Sequence, residues 1–315
     1  MINFTSGVCP DSNLLKPCNC FDDYINCGGN EDIDLVKIFE TLGKKLPKTG
    51  KHFHNFYLNN TFITELKENT FSDITFTEIF IKGCSKLKTI HKNAFNTTDQ
   101  VTTELHFDLN PALTSPDNTI FEVLNKFARA EFITMNDNNI TEIPTKAFKN
   151  KQDHLTYLYI KGKSIQKLGN NAFSGLKGLF FLSLESTSIE LIPENAFEFN
   201  EESNKTLLVD LTKCKFLNST GFSVNSLIKF KRPAEIILDM PKDSAIQYLN
   251  QKIFEPFLLS KVDNKIHIGT GSFNCDDCRN YWLKRNPNLL KQLVDTRCTN
   301  GRTISDSVNF KNCSS

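Results

Sequence analysis

Residues 133–148 read Ile-Thr-Met-Asn-Asp-Asn-Asn-Ile-Thr-Glu-Ile-Pro-Thr-Lys-Ala-Phe. Ile133 and Met135 flank one polar residue, which is the alternation of a short strand with one buried face. Asn138 follows three residues later, and its amide can both donate to and accept from backbone groups where the chain leaves the sheet. Phe148 comes about one turn further on. The stretch therefore predicts one strand, one polar turn and one buried aromatic residue.

The same phrase recurs along the whole chain at intervals of 23 to 30 residues. Its second apolar residue is Leu58, Ile81, Phe107, Met135, Ile160, Leu184, Leu211, Leu238 and Ile268. The polar position three residues later holds Thr61, Cys84, Asn110, Asn138, Thr187 and Cys214, whereas Lys163, Pro241 and Gly271 depart from the pattern. A unit of this length buries its apolar face only against neighbouring units, so the chain is expected to be a stack of repeats.

A row of phenylalanines accompanies the repeats, one after each strand. It comprises Phe71, Phe95, Phe121, Phe148, Phe173, Phe197 and Phe222. Their regular spacing predicts a packed row inside the convex side of the stack, with no role beyond the core.

The ten cysteines are concentrated at the two ends of the chain. The first quartet is Cys9, Cys18, Cys20 and Cys27, and the last is Cys275, Cys278, Cys298 and Cys313. Two even sets indicate disulfide-stapled units in an oxidising compartment, although each quartet allows three connectivities and the last could bind zinc. Cys84 and Cys214 lie five strand steps apart, or roughly 24 Å at ~4.8 Å per step. We expect both to be free thiols, because a disulfide needs Cα atoms within about 7 Å.

The chain resembles the extracellular leucine-rich-repeat family. The resemblance is carried by the phrase Ile-Pro-x-x-Ala-Phe at 143–148 and 192–197, by the opening cysteines after Cys9-Pro10, and by Phe273-Asn-Cys275 with Trp282. It implies an α/β repeat fold, a curved solenoid with a parallel sheet on its concave face and a disulfide cap at each end. It also implies the bridges Cys9–Cys20, Cys18–Cys27, Cys275–Cys298 and Cys278–Cys313. The expected organisation is a cap over 1–52, repeats over 53–271 and a second cap over 272–315.

A narrower resemblance lies in Cys18-Asn-Cys20-Phe-Asp-Asp-Tyr-Ile-Asn-Cys27-Gly. This opening is similar to arthropod proteins of the kind that includes the non-catalytic subunit of decapod shrimp luciferase. The resemblance implies a non-catalytic role beside a small catalytic partner subunit.

The charge balance and the glycosylation motifs indicate which partners and which compartment the protein has. The 37 basic and 36 acidic residues nearly cancel, which does not indicate binding to nucleic acid. No apolar run is long enough for a membrane span. Acceptor triplets for N-glycosylation begin at Asn3, Asn59, Asn96, Asn139, Asn204, Asn218 and Asn312. With the cysteines they predict a secreted, extracellular glycoprotein. Met1 leads into polar residues rather than a signal peptide, so the sequence is a mature form or lacks its upstream region.

Catalytic and metal-binding sets are not indicated. His106, Ser183 and Asp210 share the outward stripe of the predicted sheet, but His106 and Ser183 are three strands apart, or about 14 Å, far beyond proton-transfer distance. His52 and His54 alternate around one residue, which is more typical of a solvated strand edge than of a metal site. We therefore expect no enzymatic activity, no metal and no cofactor.

The candidate site is aromatic. Phe132, Tyr157, Tyr159 and Phe181 fall at outward positions of three consecutive predicted strands, where exposed rings favour a protein partner. Glu78, Glu104 and Asp108 lie toward the N-terminal side of these rings. A register slip would instead move some of the rings into the core. Two functions follow: recognition of a protein partner through the concave sheet, or stabilisation of a secreted oxidoreductase as its non-catalytic, luciferase-like subunit.

Overall fold

The computed structural model describes residues 8–240 and 246–302, together with 304 and 313. Asn3, Asn312 and Pro241 lie outside the described residues. The chain forms two compact units. The first contains the residues up to Thr141 and Asn150–Tyr159, and the second contains Glu142–Lys149 and the residues from Ile160 onward.

Short strands alternate with turns in both units. From the N-terminus they are β1 Asn19–Phe21, β2 Tyr24–Gly29, β3 His52–Asn60, β4 Glu65–Leu66, β5 Thr75–Lys82, β6 Thr89–Ile90, β7 Glu104–Asp108, β8 Phe132–Asn136 and β9 Glu142–Ile143. They continue as β10 Tyr157–Lys161, β11 Lys167–Leu168, β12 Phe181–Ser183, β13 Leu207–Asp210, β14 Ala234–Ile237, β15 Lys265–His267, β16 Thr270–Phe273, β17 Leu293–Val294 and β18 Arg297–Cys298.

The strands of each unit form a mostly parallel sheet. In the first unit the order is β1-β2-β3-β5-β7-β8, and only the β1–β2 hairpin is antiparallel among the described pairs of that sheet. In the second unit the order is β12-β13-β14-β15-β17, with parallel pairing throughout. Short parallel pairs, β4 with β6 and β9 with β11, form on the far side of the repeats.

Helices are short and lie between strands or in the caps. They are α1 Ser12–Leu15, α2 Leu35–Lys45, α3 Thr119–Leu124, α4 Gln251–Ser260, α5 Trp282–Arg285 and α6 Pro287–Leu290. In α2 the buried residues Leu35, Ile38, Phe39 and Leu42 follow helical spacing, and the Asp34 side chain caps the first turn by accepting from the Lys37 amide at 3.1 Å. Among the described residues, no helix has the length and apolarity needed to cross a bilayer.

The polar ladder is confirmed at its centre. The Asn110 side chain donates to the Ile81 carbonyl at 2.9 Å, and its oxygen accepts from the Cys84 amide at 3.0 Å. Asn138 repeats the contact one strand later, donating to the Phe107 carbonyl at 2.6 Å. Thr187 and Cys214 are also buried at this level, whereas Lys163 is exposed, as its departure from the pattern predicts.

The prediction for the first copy of the ladder is wrong by one residue. Asn60, not Thr61, is the buried residue, and its side chain donates to the Glu31 carbonyl at 3.0 Å while accepting from the Phe62 and Ile63 amides. The reason is that β3 is the strand next to the cap. The side-chain amide of Asn60 therefore reaches a loop of the cap rather than a preceding repeat.

The phenylalanine row is confirmed for Phe71 with Phe95 and from Phe148 to Phe197, whereas its C-terminal end differs from the prediction. The rings of Phe148, Phe173 and Phe197 stack at centroid distances of 6.1 Å. Phe230, not Phe222, continues the row, with its centroid 5.1 Å from that of Phe197. Phe222 instead forms an isolated parallel β-bridge with Ile192, so it is equivalent to that isoleucine of the preceding repeat. Its ring centroid lies 5.2 Å from that of Phe254.

Disulfides close the two ends with the implied pairing. The bridges are Cys9–Cys20, Cys18–Cys27, Cys275–Cys298 and Cys278–Cys313. The zinc alternative for the last quartet is therefore wrong. Cys84 and Cys214 are buried free thiols, as predicted. Burial raises the pKa of the Cys84 thiol to about 11, because the thiolate would lose its hydration. The proposed boundaries at 52 and 271 stay predictions.

Candidate functional site

The open face of the sheet is the face opposite the buried apolar residues of the strands. In the first unit Tyr57 lies opposite Phe80, and Phe80 lies opposite His106. The neighbouring stripe runs from Asn55 through Glu78 and Glu104 to Phe132. In the second unit the corresponding stripe runs through Phe181, Leu208, Glu235 and Lys265. These registers are the ones that the repeat pattern predicts, so a slip does not occur in these strands.

Six rings form a continuous aromatic row on the open face of the first unit: Tyr57, Phe80, His106, Phe132, Tyr157 and Tyr159. Tyr57 and Phe80 stack at 4.6 Å, and Phe80 and His106 stack at 4.4 Å. His106 then meets Phe132 at 5.3 Å. Phe132 contacts Tyr159 at 5.3 Å and Tyr157 at 5.9 Å. Tyr57 and Tyr157 each keep 37% of their surface exposed.

Three of the four predicted site residues are thus brought together. Phe132, Tyr157 and Tyr159 are in mutual reach around Phe132, on strands β8 and β10. Phe181 belongs to the second unit, where it is half-buried on β12 and lies opposite Leu208. A partner-binding role for the four residues stays a prediction.

The predicted site omitted the N-terminal half of the row. Tyr57, Phe80 and His106 are outward residues of one stripe, whereas Phe132 and Tyr157 belong to the neighbouring stripe. The row changes stripe at the diagonal contact between His106 and Phe132. Sheet twist produces such diagonal contacts, and residue spacing alone does not reveal them.

Carboxylates lie beside the row, and their basic partners are histidines. Glu78 lies 3.4 Å from His54 Nε2, and Glu104 lies 3.5 Å from His106 Nε2. Asp108 accepts from the Thr134 hydroxyl at 2.9 Å and from the Asn136 amide at 3.0 Å. Within the described ranges, no lysine or arginine nitrogen comes within 4.0 Å of these three carboxylates.

On the open face of the second unit, two glutamates are paired with lysines. Glu235 contacts Lys265 at 2.8 Å and His267 at 3.1 Å. Glu185 receives hydrogen bonds from Lys161 at 2.7 Å and Lys213 at 2.6 Å, and these bonds lower the pKa of its carboxyl below the usual range.

The histidines of β3 sit in ordinary polar surroundings. The two ring nitrogens of His52 contact the hydroxyls of Thr75 and Thr77 at 3.0 and 3.1 Å. Burial, with a smaller contribution from His54, holds the pKa of His52 below its ordinary value. In the described part of the chain, no group of three or more His, Cys, Asp or Glu residues is arranged to hold a metal.

The residues weighed as a catalytic set have other partners. Ser183 donates to Asp210 at 2.9 Å, and Asp210 also accepts from the Thr212 amide, so this pair closes a turn of the second unit. His106 contacts Thr134 at 3.1 Å, within the aromatic row of the first unit. His106 Nε2 also lies 3.5 Å from Glu104, but the Thr134 hydroxyl donates its proton to Asp108 at 2.9 Å, so His106 is not placed to accept that proton.

Four glycosylation triplets present exposed asparagines: Asn59, Asn139, Asn204 and Asn218. Asn96 is half-buried, and its amide donates to Asn69 at 2.8 Å. Asn59 is the next outward residue of β3 after Tyr57, so it is on the open face. Glycosylation of these asparagines stays a prediction.

Comparisons with known proteins agree with this architecture. A leucine-rich-repeat family model matches residues 132–189. The chain is 23% identical to the Oplophorus-luciferin 2-monooxygenase non-catalytic subunit of Oplophorus gracilirostris, over 95% of this chain and 86% of that protein.

A solved structure shows the same fold. One chain of the octameric complex of Latrophilin 3 (Lec, Olf), Unc5D (Ig, Ig2, TSP1) and FLRT2 (LRR) matches 94% of this chain and 99% of its own length, with a TM-score of 0.50 and 13% identity. Human 5T4 matches 95% of this chain and 96% of its own, with a TM-score of 0.47 and 16% identity. With its repeating strands, its polar ladder and its paired cysteines, this chain has a leucine-rich-repeat fold with disulfide bonds near both ends.

Proposed function

We propose that this protein is a secreted binding protein, without catalytic activity of its own, that takes a protein partner on the open face of its sheet. The observation that carries the proposal is the aromatic row. Its rings contact one another from Tyr57 to Tyr157 while both tyrosines remain more than a third exposed. Rigid, exposed aromatics on a fixed sheet bind a partner at low entropic cost, and such clusters carry much of the energy of protein interfaces.

Secretion is supported by the cysteine chemistry. Four disulfides persist only in an oxidising environment, and small caps of this kind have too little core to be stable without them. The exposed asparagines of the glycosylation triplets are compatible with the same compartment.

A second candidate function is that of a non-catalytic subunit that stabilises a secreted oxidoreductase. The likeness to the Oplophorus gracilirostris subunit favours it, because that likeness extends over 95% of this chain. The two functions share one physical requirement, which is a protein partner on the chain. They differ in whether that partner is an enzyme.

Capture from native tissue tests both candidates. The immobilised chain is expected to retain a stoichiometric protein, identified by mass spectrometry and assayed for oxidase activity. Active partner protein supports the subunit function, and an inactive partner supports stand-alone recognition.

Substitutions then test the site. Tyr157→Ala combined with Phe132→Ala should weaken binding of the captured protein by at least ~2 kcal/mol. Phe62→Ala is the matched control, since Phe62 is 45% exposed but lies in the loop after β3. Phe181→Ala is measured separately, because its part in the interface is a prediction from sequence. Normal binding by the Phe132 and Tyr157 double variant would overturn the proposed site.

A further inference from the structure

The first three rings of the aromatic row, Tyr57, Phe80 and His106, are stacked face to face. The planes of Tyr57 and Phe80 are inclined by 11°, and those of Phe80 and His106 by 6°, at centroid distances of 4.6 and 4.4 Å. Each of these rings therefore has a face covered by its neighbour. A sugar ring stacks on an open aromatic face, whereas ring edges suit aliphatic side chains and the faces of other aromatic rings. The row consequently favours the apolar side chains of a protein segment over a carbohydrate.

Two glutamates beside the row oppose each other across the sheet. Glu78 and Glu104 are register partners on β5 and β7. Adjacent strands lie about 4.8 Å apart, and like charges at opposed positions destabilise a sheet. Asp108 adds a third carboxylate on β7, and Lys82 is the basic side chain opposite it. Three carboxylates thus face one ammonium group on these two strands.

In the second unit, a glutamate at the equivalent position is neutralised by a lysine of the same chain. Glu235 occupies the same stripe as Glu78 and Glu104, but its register partner is Lys265, at 2.8 Å. The fold can therefore supply a lysine at this position. In the first unit the ionisable partners of Glu78 and Glu104 are instead His54, at 3.4 Å, and His106, at 3.5 Å.

A buried amide lies beneath the N-terminal end of the same surface and holds one of its carboxylates. Asn55 is 6% exposed, and its Nδ2 donates to Tyr57 Oη at 2.9 Å and to Glu78 at 3.1 Å. These bonds fix the amide with its Oδ1 toward no hydrogen-bond partner in the described residues.

From this surface we infer that the partner docks through a basic, amphipathic segment, in which apolar side chains meet the edges of the aromatic row while lysine or arginine side chains meet Glu78, Glu104 and Asp108. This inference rests on the proposed function and names the chemistry of the partner at that site. Charge complementarity carries it: Glu78 and Glu104 are opposed on neighbouring strands with no lysine or arginine nitrogen within 4.0 Å among the described residues, whereas Glu235 has Lys265 at 2.8 Å.

A labelled peptide of alternating leucine and lysine provides the probe, with a leucine–glutamate peptide as its charge-reversed control. Fluorescence anisotropy is measured with the full chain at about 0.15 M salt, where long-range attraction is screened beyond ~8 Å. The leucine–lysine peptide should bind and the leucine–glutamate peptide should not. Glu78→Gln combined with Glu104→Gln should weaken binding at least tenfold, while Glu235→Gln should leave it unchanged, because Glu235 already has Lys265.

Thermal melting separates a binding role from a structural one. The Glu78 and Glu104 double variant should melt at the wild-type temperature or above, since it removes a repulsion. A lower melting temperature would mean that the glutamates serve the fold, and this would overturn the inference. Equal binding of both peptides, or undiminished binding by the double variant, would overturn it as well.

Failure of this inference differs from failure of the proposed function. If the captured native protein is lost by the Phe132 and Tyr157 variant but kept by the Glu78 and Glu104 variant, the site stands and the basic chemistry is wrong. If it is kept by both variants, the site itself is wrong.

Discussion

Asn110 and Asn138 each join the backbones of two neighbouring repeats. The amide of Asn138 donates to the Phe107 carbonyl, and its oxygen accepts from both the backbone and the side chain of Asn110. Both side chains are almost fully buried. A buried carbonyl without a donor costs more than a typical hydrogen bond gains, so these amides are more sensitive to replacement than their small size indicates.

Replacing Asn138 with leucine should lower the free energy of unfolding by about 1–3 kcal/mol, because backbone groups of two repeats lose their partner. Asn110→Leu should behave alike. Lys163→Leu is the control at the equivalent but exposed position, and it should change stability little. Urea melts of the three variants give the measurement. Equal, negligible shifts would contradict a buried ladder.

The ladder also marks where sequence reasoning at single residues ends. The interval of three residues after the second apolar residue is correct for Asn110 and Asn138 because each amide reaches the repeat before it. Asn60 departs because its donor reaches Glu31 in the cap instead. A cap has no repeating pattern, so the residue that meets it could not be read from the other copies.

At the scale of elements, polar side chains in the loops before strands hold the preceding turns. Gln152 donates to the carbonyls of Leu124 and Phe127 at 2.9 and 3.3 Å. Gln292 donates to the carbonyl of Asn264 at 2.8 Å. In the second unit Arg232 plays this part, donating to Lys177 and Lys205 carbonyls at 3.0 Å each. Burial lowers the pKa of its guanidinium to about 10.

Gln152→Leu should destabilise the protein by about 1–3 kcal/mol, since leucine has similar bulk but leaves two buried carbonyls without a donor. Gln100→Leu is the matched control in the same unit, because Gln100 is exposed and bonds only to its neighbour Asp99 among the contacts described. Chemical denaturation followed by circular dichroism distinguishes the two. If both variants unfold at the same denaturant concentration, the hydrogen bonds of Gln152 do not contribute to the stability of the fold.

The strands, their register and the phenylalanine row up to Phe197 could be predicted because apolar alternation repeats in them. These loop contacts could not be predicted, since Gln152, Gln292 and Arg232 differ in type and in distance from the next strand. The end of the row failed for the same reason: the turn that contains Phe222 is longer, and Phe230 arrives at the stacking position. The aromatic site was predicted in part, because ring contacts across stripes depend on twist.

At the scale of the whole molecule, covalent closure is confined to the two ends. The four bridges lie within the first 27 residues or between Cys275 and Cys313. The repeats between them rely on apolar burial and on the polar ladder. Cross-links at the ends suit this arrangement, because a terminal repeat has a neighbour on one side only.

Peptide mapping without reduction should recover the four terminal bridges as linked peptides. Under denaturing conditions the chain should expose two alkylatable thiols, Cys84 and Cys214. In the folded protein both should resist alkylation, because they are buried and burial raises their pKa. A linked peptide containing Cys84 or Cys214 would contradict the free thiols.

The position of these two thiols has an experimental consequence. Cys84 belongs to the first unit and Cys214 to the second, so each reports from its own part of the chain. A thiol reagent can reach either sulfur only when the surrounding repeats separate for a moment. The labelling rates of the two thiols under native conditions therefore measure how often each unit opens locally, and no engineered probe is needed. A bound partner that slows the labelling of Cys84 but not of Cys214 would be shown to stabilise the first unit.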